Sequence, residues 1–204
     1  SLSGEIMRET VGTAPFPLYS HLTNVNGTLF FVHADYRSTP TTPPTPPKLY
    51  WQLMKLNGTQ RNPVVVGDIP GENNVPGEFK PVNNTLYFVA NDGVNGWKVW
   101  RSNGTTIEMV PAVQGLPQLG SAYSNPRELT NVDGSLYFLA GEGLWMVDRT
   151  GNARGIYCLF TGTACHGSLS QLTNVNGTLY FVNSWEHGTT LLKNHGTSVK
   201  LFPD

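Results

Sequence analysis

The sequence predicts an all-β, β-propeller-like fold of four repeats, each of about four antiparallel strands, with an extra N-terminal strand. The first observation is a unit that occurs four times: VNGTLFFV at 25–32, VNNTLYFV at 82–89, VDGSLYFL at 132–139 and VNGTLYFV at 175–182. The second is the composition, since 22 Gly, 15 Pro and only 13% charged residues are typical of a turn-rich β protein. Repetition at roughly 50-residue spacing predicts sheets repeated around an axis rather than independent domains.

Each repeat begins with a hairpin. A short strand such as Leu22–Val25 or Leu172–Val175 leads into Asn-Gly, Asp-Gly or Asn-Asn, pairs that accept the positive φ angles of a type I′ turn. The return strands are continuous apolar runs: Leu29–Val32, Leu86–Val89, Leu136–Leu139 and Leu179–Val182. Continuity predicts that both faces of these strands are covered, as in sheets that stack face to face.

Two further strands complete each repeat. The third strands are predicted at Leu49–Leu56, Trp97–Ser102, Leu144–Val147 and Thr190–Lys193, and the fourth at Pro63–Ile69, Thr106–Val110, Gly155–Phe160 and Ser198–Phe202. Four antiparallel strands repeated radially describe a propeller blade. We therefore expect a single repeat domain over 1–204, with a lead-in at 1–21 and repeats at 22–78, 79–128, 129–171 and 172–204.

The N-terminal segment resembles a fifth copy of the fourth-strand type, although four repeats need only four. We predict that it adds to a sheet edge of another molecule and drives linear self-association. This assembly strand comprises Glu5, Ile6, Met7, Arg8, Glu9, Thr10 and Val11. Two alternatives stay open: an extra strand in its own sheet, and a chain cut from a longer repeat array.

The two cysteines lie in CLFTGTAC. We predict a disulfide between Cys158 and Cys165, because a bridge across a hairpin of this size is geometrically reasonable. Two buried thiols are the alternative, and a zinc site would need a second ligand pair. A disulfide implies an oxidising, extracytoplasmic setting.

Several residues are candidates for glycosylation. Asn-x-Ser/Thr sequons occur at Asn26, Asn57, Asn83, Asn103 and Asn176, although hairpin chemistry alone also selects Asn-Gly-Thr. The proline-rich segment Ser38–Lys48 predicts an extended, exposed loop in which Thr39, Thr41, Thr42 and Thr45 would carry O-linked glycans. An unmodified rigid loop is the alternative reading.

Aromatic residues supply the candidate ligand site. Trp100 and Trp145 occupy the same repeat position, so we expect them to pack between sheets. Trp51, Trp97 and Trp185 lie outside that position and are candidate platforms for a sugar ring.

The sequence shows no pattern typical of nucleic-acid binding, membrane insertion, metal binding or catalysis. The net charge of -1 and the absence of a basic stripe argue against nucleic-acid binding, and no apolar run approaches the roughly 20 residues of a membrane span. The loop Asn91–Gly96 has the composition of a calcium loop without its terminal acidic ligand. No nucleophile elbow is present. We expect no catalytic residues, no metal and no cofactor.

The stretches GWKVWRSNGT (96–105) and LTNVDGSLYF (129–138) resemble the ELWxxDGT, hyalin-like repeats of large bacterial surface and secreted proteins. The resemblance implies a propeller-like β fold, an extracellular or cell-surface location and no catalytic residues. The sequence thus predicts a non-catalytic structural protein that self-associates into a surface or filamentous assembly. The alternative is a lectin-like, carbohydrate-binding propeller module.

Overall fold

A computed structural model describes residues 19–37, 47–72, 74–111, 125–157, 167–195 and 198–202. Within these ranges the regular structure is entirely β, which confirms the predicted fold class. The first sheet contains β1 (Tyr19–Val25), β2 (Thr28–Arg37), β3 (Lys48–Asn57) and β4 (Val64–Ile69), and the second contains β5 (Gly77–Val82), β6 (Thr85–Asn91), β7 (Trp97–Ser102) and β8 (Ile107–Met109). The third contains β9 (Arg127–Val132), β10 (Ser135–Ala140), β11 (Gly143–Val147) and β12 (Ala153–Tyr157), and the fourth contains β13 (Ser168–Val175), β14 (Thr178–Trp185), β15 (Gly188–His195) and β16 (Ser198–Leu201).

Every sheet is a four-stranded antiparallel meander in chain order. The opening hairpins turn as predicted: Asn26 has φ 47° and Gly27 φ 83°, and Asn176 and Gly177 repeat this with 49° and 82°. These are the two left-handed residues of a type I′ turn. No helix in the described part of the chain could cross a membrane.

The first strand of each sheet carries a β-bulge that the sequence did not predict. The bulge residue has a left-handed φ of 55° at His21, 56° at Glu78, 57° at Glu128 and 61° at Gln171, and the strand register shifts beside it. A bulge re-aims its side chain relative to a regular strand. Three of these side chains, His21, Glu78 and Glu128, contact the following sheet.

The sheets stack in chain order around three hydrophobic cores. The first and second sheets enclose one core, the second and third another, and the third and fourth the last. The opening strands β1, β5, β9 and β13 contact one another in sequence along one side. The described residues of the first and fourth sheets share no such core.

Two tryptophans confirm their predicted packing role. Trp145 is buried and Trp100 is half-buried, and they face Phe138 and Phe88 across matching strand pairs. The indole Nε1 of Trp100 donates to the Ala90 carbonyl at 3.2 Å, and that of Trp145 donates to the Ala140 carbonyl at 3.1 Å. The same residue in two repeats therefore makes the same hydrogen bond.

Candidate interaction surface

The bulge side chains join each sheet to the next. Glu78 accepts a hydrogen bond from the backbone N–H of Leu129 at 3.2 Å, and Glu128 accepts one from the N–H of Leu172 at 2.8 Å. In both cases a carboxylate of one sheet holds the opening strand of the following sheet. Hydrogen bonds to a charged group are the stronger kind.

An asparagine two residues before the hairpin turn makes the reverse connection. Asn131 Oδ1 accepts the turn N–H of Gly134 at 3.1 Å, while its Nδ2 donates to the Pro81 carbonyl of the preceding sheet at 3.0 Å. Asn174 repeats the arrangement, accepting from Gly177 at 3.0 Å and donating to the Asn131 carbonyl at 2.9 Å. One amide thus serves both the turn and the sheet-to-sheet contact.

A basic side chain on the third strand makes a further repeated contact. Lys55 Nζ donates to the Gly104 carbonyl of the second sheet at 2.7 Å, and Arg101 Nη1 donates to the Gly151 carbonyl of the third sheet at 3.0 Å. The chain therefore builds its sheet-to-sheet contacts from a recurrent set of residues, each at a fixed repeat position.

The fourth sheet presents the corresponding apolar positions on a face that no following sheet covers among the described residues. We call this the outward face of the fourth sheet; it comprises Val175, Tyr180, Val182, Leu191 and Phe202. Val182 lies opposite Leu191 in the strand register, and the ring centroids of Tyr180 and Phe202 are 5.7 Å apart. Lys193 lies with its ammonium 5.6 Å from the Phe202 ring centroid.

Exposure separates this face from its equivalents. Val175 is 48% exposed, whereas Val25, Val82 and Val132 at the same repeat position are 4%, 3% and 5% exposed. Tyr180 is half-buried, but its counterparts in the other three sheets are buried. The difference follows from the packing, because each of those counterparts contacts a following sheet.

The second strands show the same contrast. Residues Leu136–Ala140 in the third sheet are all buried, so both faces of β10 are covered. In β14, burial alternates, with Leu179 and Phe181 buried and Tyr180 and Val182 only half-buried. The apolar run at Leu179–Val182 has the composition of a two-sided strand but is covered on one side by the described residues.

The side-chain oxygens of the loop Asn91–Gly96 accept hydrogen bonds from N–H groups of the same loop. Asp92 Oδ1 accepts the backbone N–H groups of Val94 at 2.9 Å and Asn95 at 2.6 Å, and the Asn95 N–H lowers the pKa of this carboxyl group. The loop is therefore a turn stabilised by its own side chains. No cluster of three metal-ligating side chains occurs within the described ranges.

The three candidate sugar-binding tryptophans lie in different environments. Trp51 is 2% exposed in the core between the first two sheets, so the prediction for Trp51 is wrong: its rings pack against apolar neighbours and offer no face to a ligand. Trp97 is half-buried against the next core. Trp185 is 45% exposed and lines a cleft of about 500 Å³ with Gly167, Glu186 and His187.

All five sequon asparagines are exposed, at Asn26, Asn57, Asn83, Asn103 and Asn176. Two of them also serve sheet contacts: Asn26 Nδ2 donates to Asn84 Oδ1 at 2.9 Å, and Asn83 Nδ2 donates to the Gly134 carbonyl at 3.0 Å. The other predicted modification and assembly residues lie outside the described ranges: Cys158, Cys165, Thr39, Thr41, Thr42, Thr45 and the strand Glu5–Val11. They stay predictions.

The sequence-based predictions did not include the bulge residues or the asparagines Asn131 and Asn174 that join neighbouring sheets. A signal was present, because a polar residue precedes Leu or Phe in HLTNV (21–25), EFKPV (78–82), ELTNV (128–132) and QLTNV (171–175). A polar residue at a fixed repeat position, directly beside an apolar one, indicates a repeated contact.

No protein family and no curated protein matches this sequence. Among solved structures, the fold is similar to a puromycin-hydrolysing peptidase of Mycobacterium tuberculosis, with TM-score 0.52, 17% identity and coverage of 96% of this chain and 30% of that one. It is also similar to prolyl endopeptidases, with TM-score 0.50, 11% identity and coverage of 86% and 33%. The chain thus spans about a third of those proteins, and at this identity the likeness concerns the fold alone.

Proposed function

We propose that this protein is a non-catalytic structural subunit of an extracellular assembly and that it self-associates through its terminal sheets. One observation carries the proposal: the outward face of the fourth sheet has the residues of a sheet-to-sheet contact and no sheet on it among the described residues. Exposed apolar patches of this kind mark interaction sites. The extracellular setting is supported by the low charge content and by the sequons at exposed turns.

The energetics favour association. Complete burial of a Val, Leu or Phe side chain contributes roughly 1.5–3 kcal/mol, and the outward face holds five large apolar side chains that are only partly buried. Part of that gain offsets the loss of translational and rotational freedom on binding. A surface of this kind is therefore expected to associate as the protein concentration rises.

The test is the state of the full chain without any ligand. We expect its sedimentation coefficient to rise with protein concentration and electron micrographs to show extended or ring-shaped particles. A single species at the 22.3 kDa chain mass over the whole concentration range would refute the proposal.

Trp185 favours a second candidate function, binding of carbohydrate. Its indole stands at right angles to His187, with ring centroids 5.5 Å apart, and Glu186 adds a carboxylate to the same cleft. An exposed ring beside hydrogen-bonding groups can stack on a sugar.

The lectin candidate predicts retention of the wild-type chain on immobilised oligosaccharides and loss of retention in Trp185→Ala. The control is Val94→Ala, which changes a residue exposed on a different sheet. Equal retention of both variants, or none of the wild type, would remove this candidate.

A further inference from the structure

We infer that the occupant of the fourth sheet's outward face is the first sheet of a second copy of this chain, docked head to tail. The inference rests on the proposed self-association and deepens it by naming the joint. It does not depend on exchange of the strand Glu5–Val11. The internal contacts support it, since the chain already joins these two faces of successive sheets three times within itself.

The receiving side of each internal contact has recognisable features. Its opening strand places an apolar residue against the preceding sheet: Phe79, Leu129 and Leu172 share cores with Val25, Val82 and Val132, respectively. Its turn glycines are close to the preceding sheet as well. A Cβ added at Gly104 would lie 3.2 Å from Phe30 Cζ, and one at Gly134 would lie 3.0 Å from Asn83 Oδ1.

The first sheet has the same receiving positions. Phe31, the counterpart of Phe138, is 6% exposed and contacts Tyr19 edge to face, whereas the positions on the opening strand and the turns are open. Leu22, the counterpart of Leu129, is 67% exposed, whereas Leu129 is 2% exposed. No described residue lies within 4 Å of a Cβ built on Gly27 or Gly58, the counterparts of Gly134 and Gly104. The first sheet therefore carries the receiving half of a contact that no described sheet fills.

The fourth sheet carries the complementary half. Gln171 is an exposed bulge residue at the position of Glu78 and Glu128, and its amide oxygen can accept a hydrogen bond in place of their carboxylates. Lys193 stands at the position of Lys55 and Arg101, which donate to turn carbonyls of the next sheet.

The equivalent positions in the internal contacts predict which residues meet between the two copies. Val175 is expected to pack against Leu22 of the second copy, as Val132 packs in one core with Leu172. The side-chain amide of Gln171 is expected to accept the N–H of Leu22, as Glu128 accepts that of Leu172.

The two faces differ, so the contact is heterologous. Repetition of such a contact gives a ring if the rotation closes and a filament if it does not. A further sheet of the same polypeptide could also fill the fourth sheet's outward face, and the experiment separates that outcome from the second copy.

The experiment uses one substitution on each face. Val175→Lys disables the fourth sheet's outward face, and Leu22→Lys disables the face of the first sheet that carries Leu22, Gly27 and Gly58. Both residues are exposed in the single chain, so both variants are expected to fold. Val94→Lys, at an 86% exposed loop residue of the second sheet, is the matched control.

We expect each variant alone to be monomeric and their equimolar mixture to form dimers and nothing larger. The mixture contains one intact fourth sheet and one intact first sheet, which is the requirement of a head-to-tail joint. Val94→Lys should assemble like the wild type. Circular dichroism checks the fold, and Gln171→Ala, which should weaken assembly at least several-fold, provides a variant with no introduced charge.

Three results would overturn the inference. If the wild type is monomeric at every concentration, both the inference and the proposed self-association fail. This is also the result expected if a further sheet of the same polypeptide covers the fourth sheet's outward face. If the wild type assembles and the two face variants assemble equally well, self-association stands but the joint lies elsewhere. If deletion of residues 1–11 alone abolishes assembly, the joint is the exchanged strand.

Discussion

Asn131 shows how much one side chain can do in this repeat. It accepts the turn N–H of Gly134 and donates to the carbonyl of Pro81 in the preceding sheet. Asn24 stands at the same position of the first sheet, where it accepts the turn N–H of Gly27 at 2.9 Å. The pair therefore separates the turn function from the sheet-to-sheet function within one protein.

We expect Asn131→Ala to lower the free energy of unfolding more than Asn24→Ala does. The difference should be about 0.5–1.5 kcal/mol, the net value of one hydrogen bond. Urea denaturation of the dilute, monomeric chain measures both values. Equal losses in the two variants would mean that the contact with the Pro81 carbonyl adds nothing to stability.

His21 gives the fold a dependence on mildly acidic pH. Its ring packs against Phe79 of the second sheet, with centroids 4.6 Å apart, and partial burial lowers its pKa below the ordinary value. The unfolded chain then binds more protons than the folded chain as the pH falls below about 6.5. The stabilisation by neutral His21 is complete above that pH and is lost as the pH drops towards the folded pKa.

The wild type should therefore lose more stability between pH 7.5 and 5.5 than His21→Gln, a substitution that places at this position the residue found at Gln171. Val94→Ala, at an exposed loop residue that does not titrate, is the control and should behave like the wild type. Identical pH profiles for the wild type and His21→Gln would contradict the assignment.

At the scale of elements, the sequence predicted the structures that depend on adjacent residues but not those that depend on contacts between sheets. The Asn-Gly and Asp-Gly pairs predicted the hairpins because a type I′ turn depends on two adjacent residues. The bulges at Glu78 and Glu128 escaped prediction because their cause lies in the neighbouring sheet, whose Leu129 and Leu172 N–H groups they bind. Trp51 was misassigned for the same reason, since its burial depends on the second sheet.

The connection between the first and second sheets depends on Gly71. Its φ is 99°, and a Cβ there would collide with the backbone carbonyl of Asn91 at the end of β6. A backbone atom cannot move aside as a flexible side chain can. Only glycine therefore lets this connection pass close to the second sheet.

Gly71→Ala is expected to cost roughly 2–5 kcal/mol, the sum of left-handed strain and overpacking. Gly27 has φ 83°, and a Cβ built there would have no described residue within 4 Å. Gly27→Ala should therefore show the strain alone, about 1–2 kcal/mol. Thermal or urea unfolding of the two variants makes the comparison. Similar losses would show that the connection yields without cost.

At the scale of the whole molecule, the chain consists of sheets that carry apolar residues on both faces. The second and third sheets have two neighbours, whereas the first and fourth each have one among the described residues. The continuous apolar run of Leu179–Val182 predicted a two-sided environment, and the structure covers one side. The proposed self-association would cover the other side and so account for the sequence pattern.

Hydrogen exchange of the full chain at increasing concentration tests this account most directly. It predicts growing protection in the backbone segments around Leu22 and across Val175–Val182, with the segment Leu136–Ala140, already covered on both faces, unchanged. Protection that does not vary with concentration at either terminal sheet, or that grows only within residues 5–11, would contradict the head-to-tail contact of these two faces.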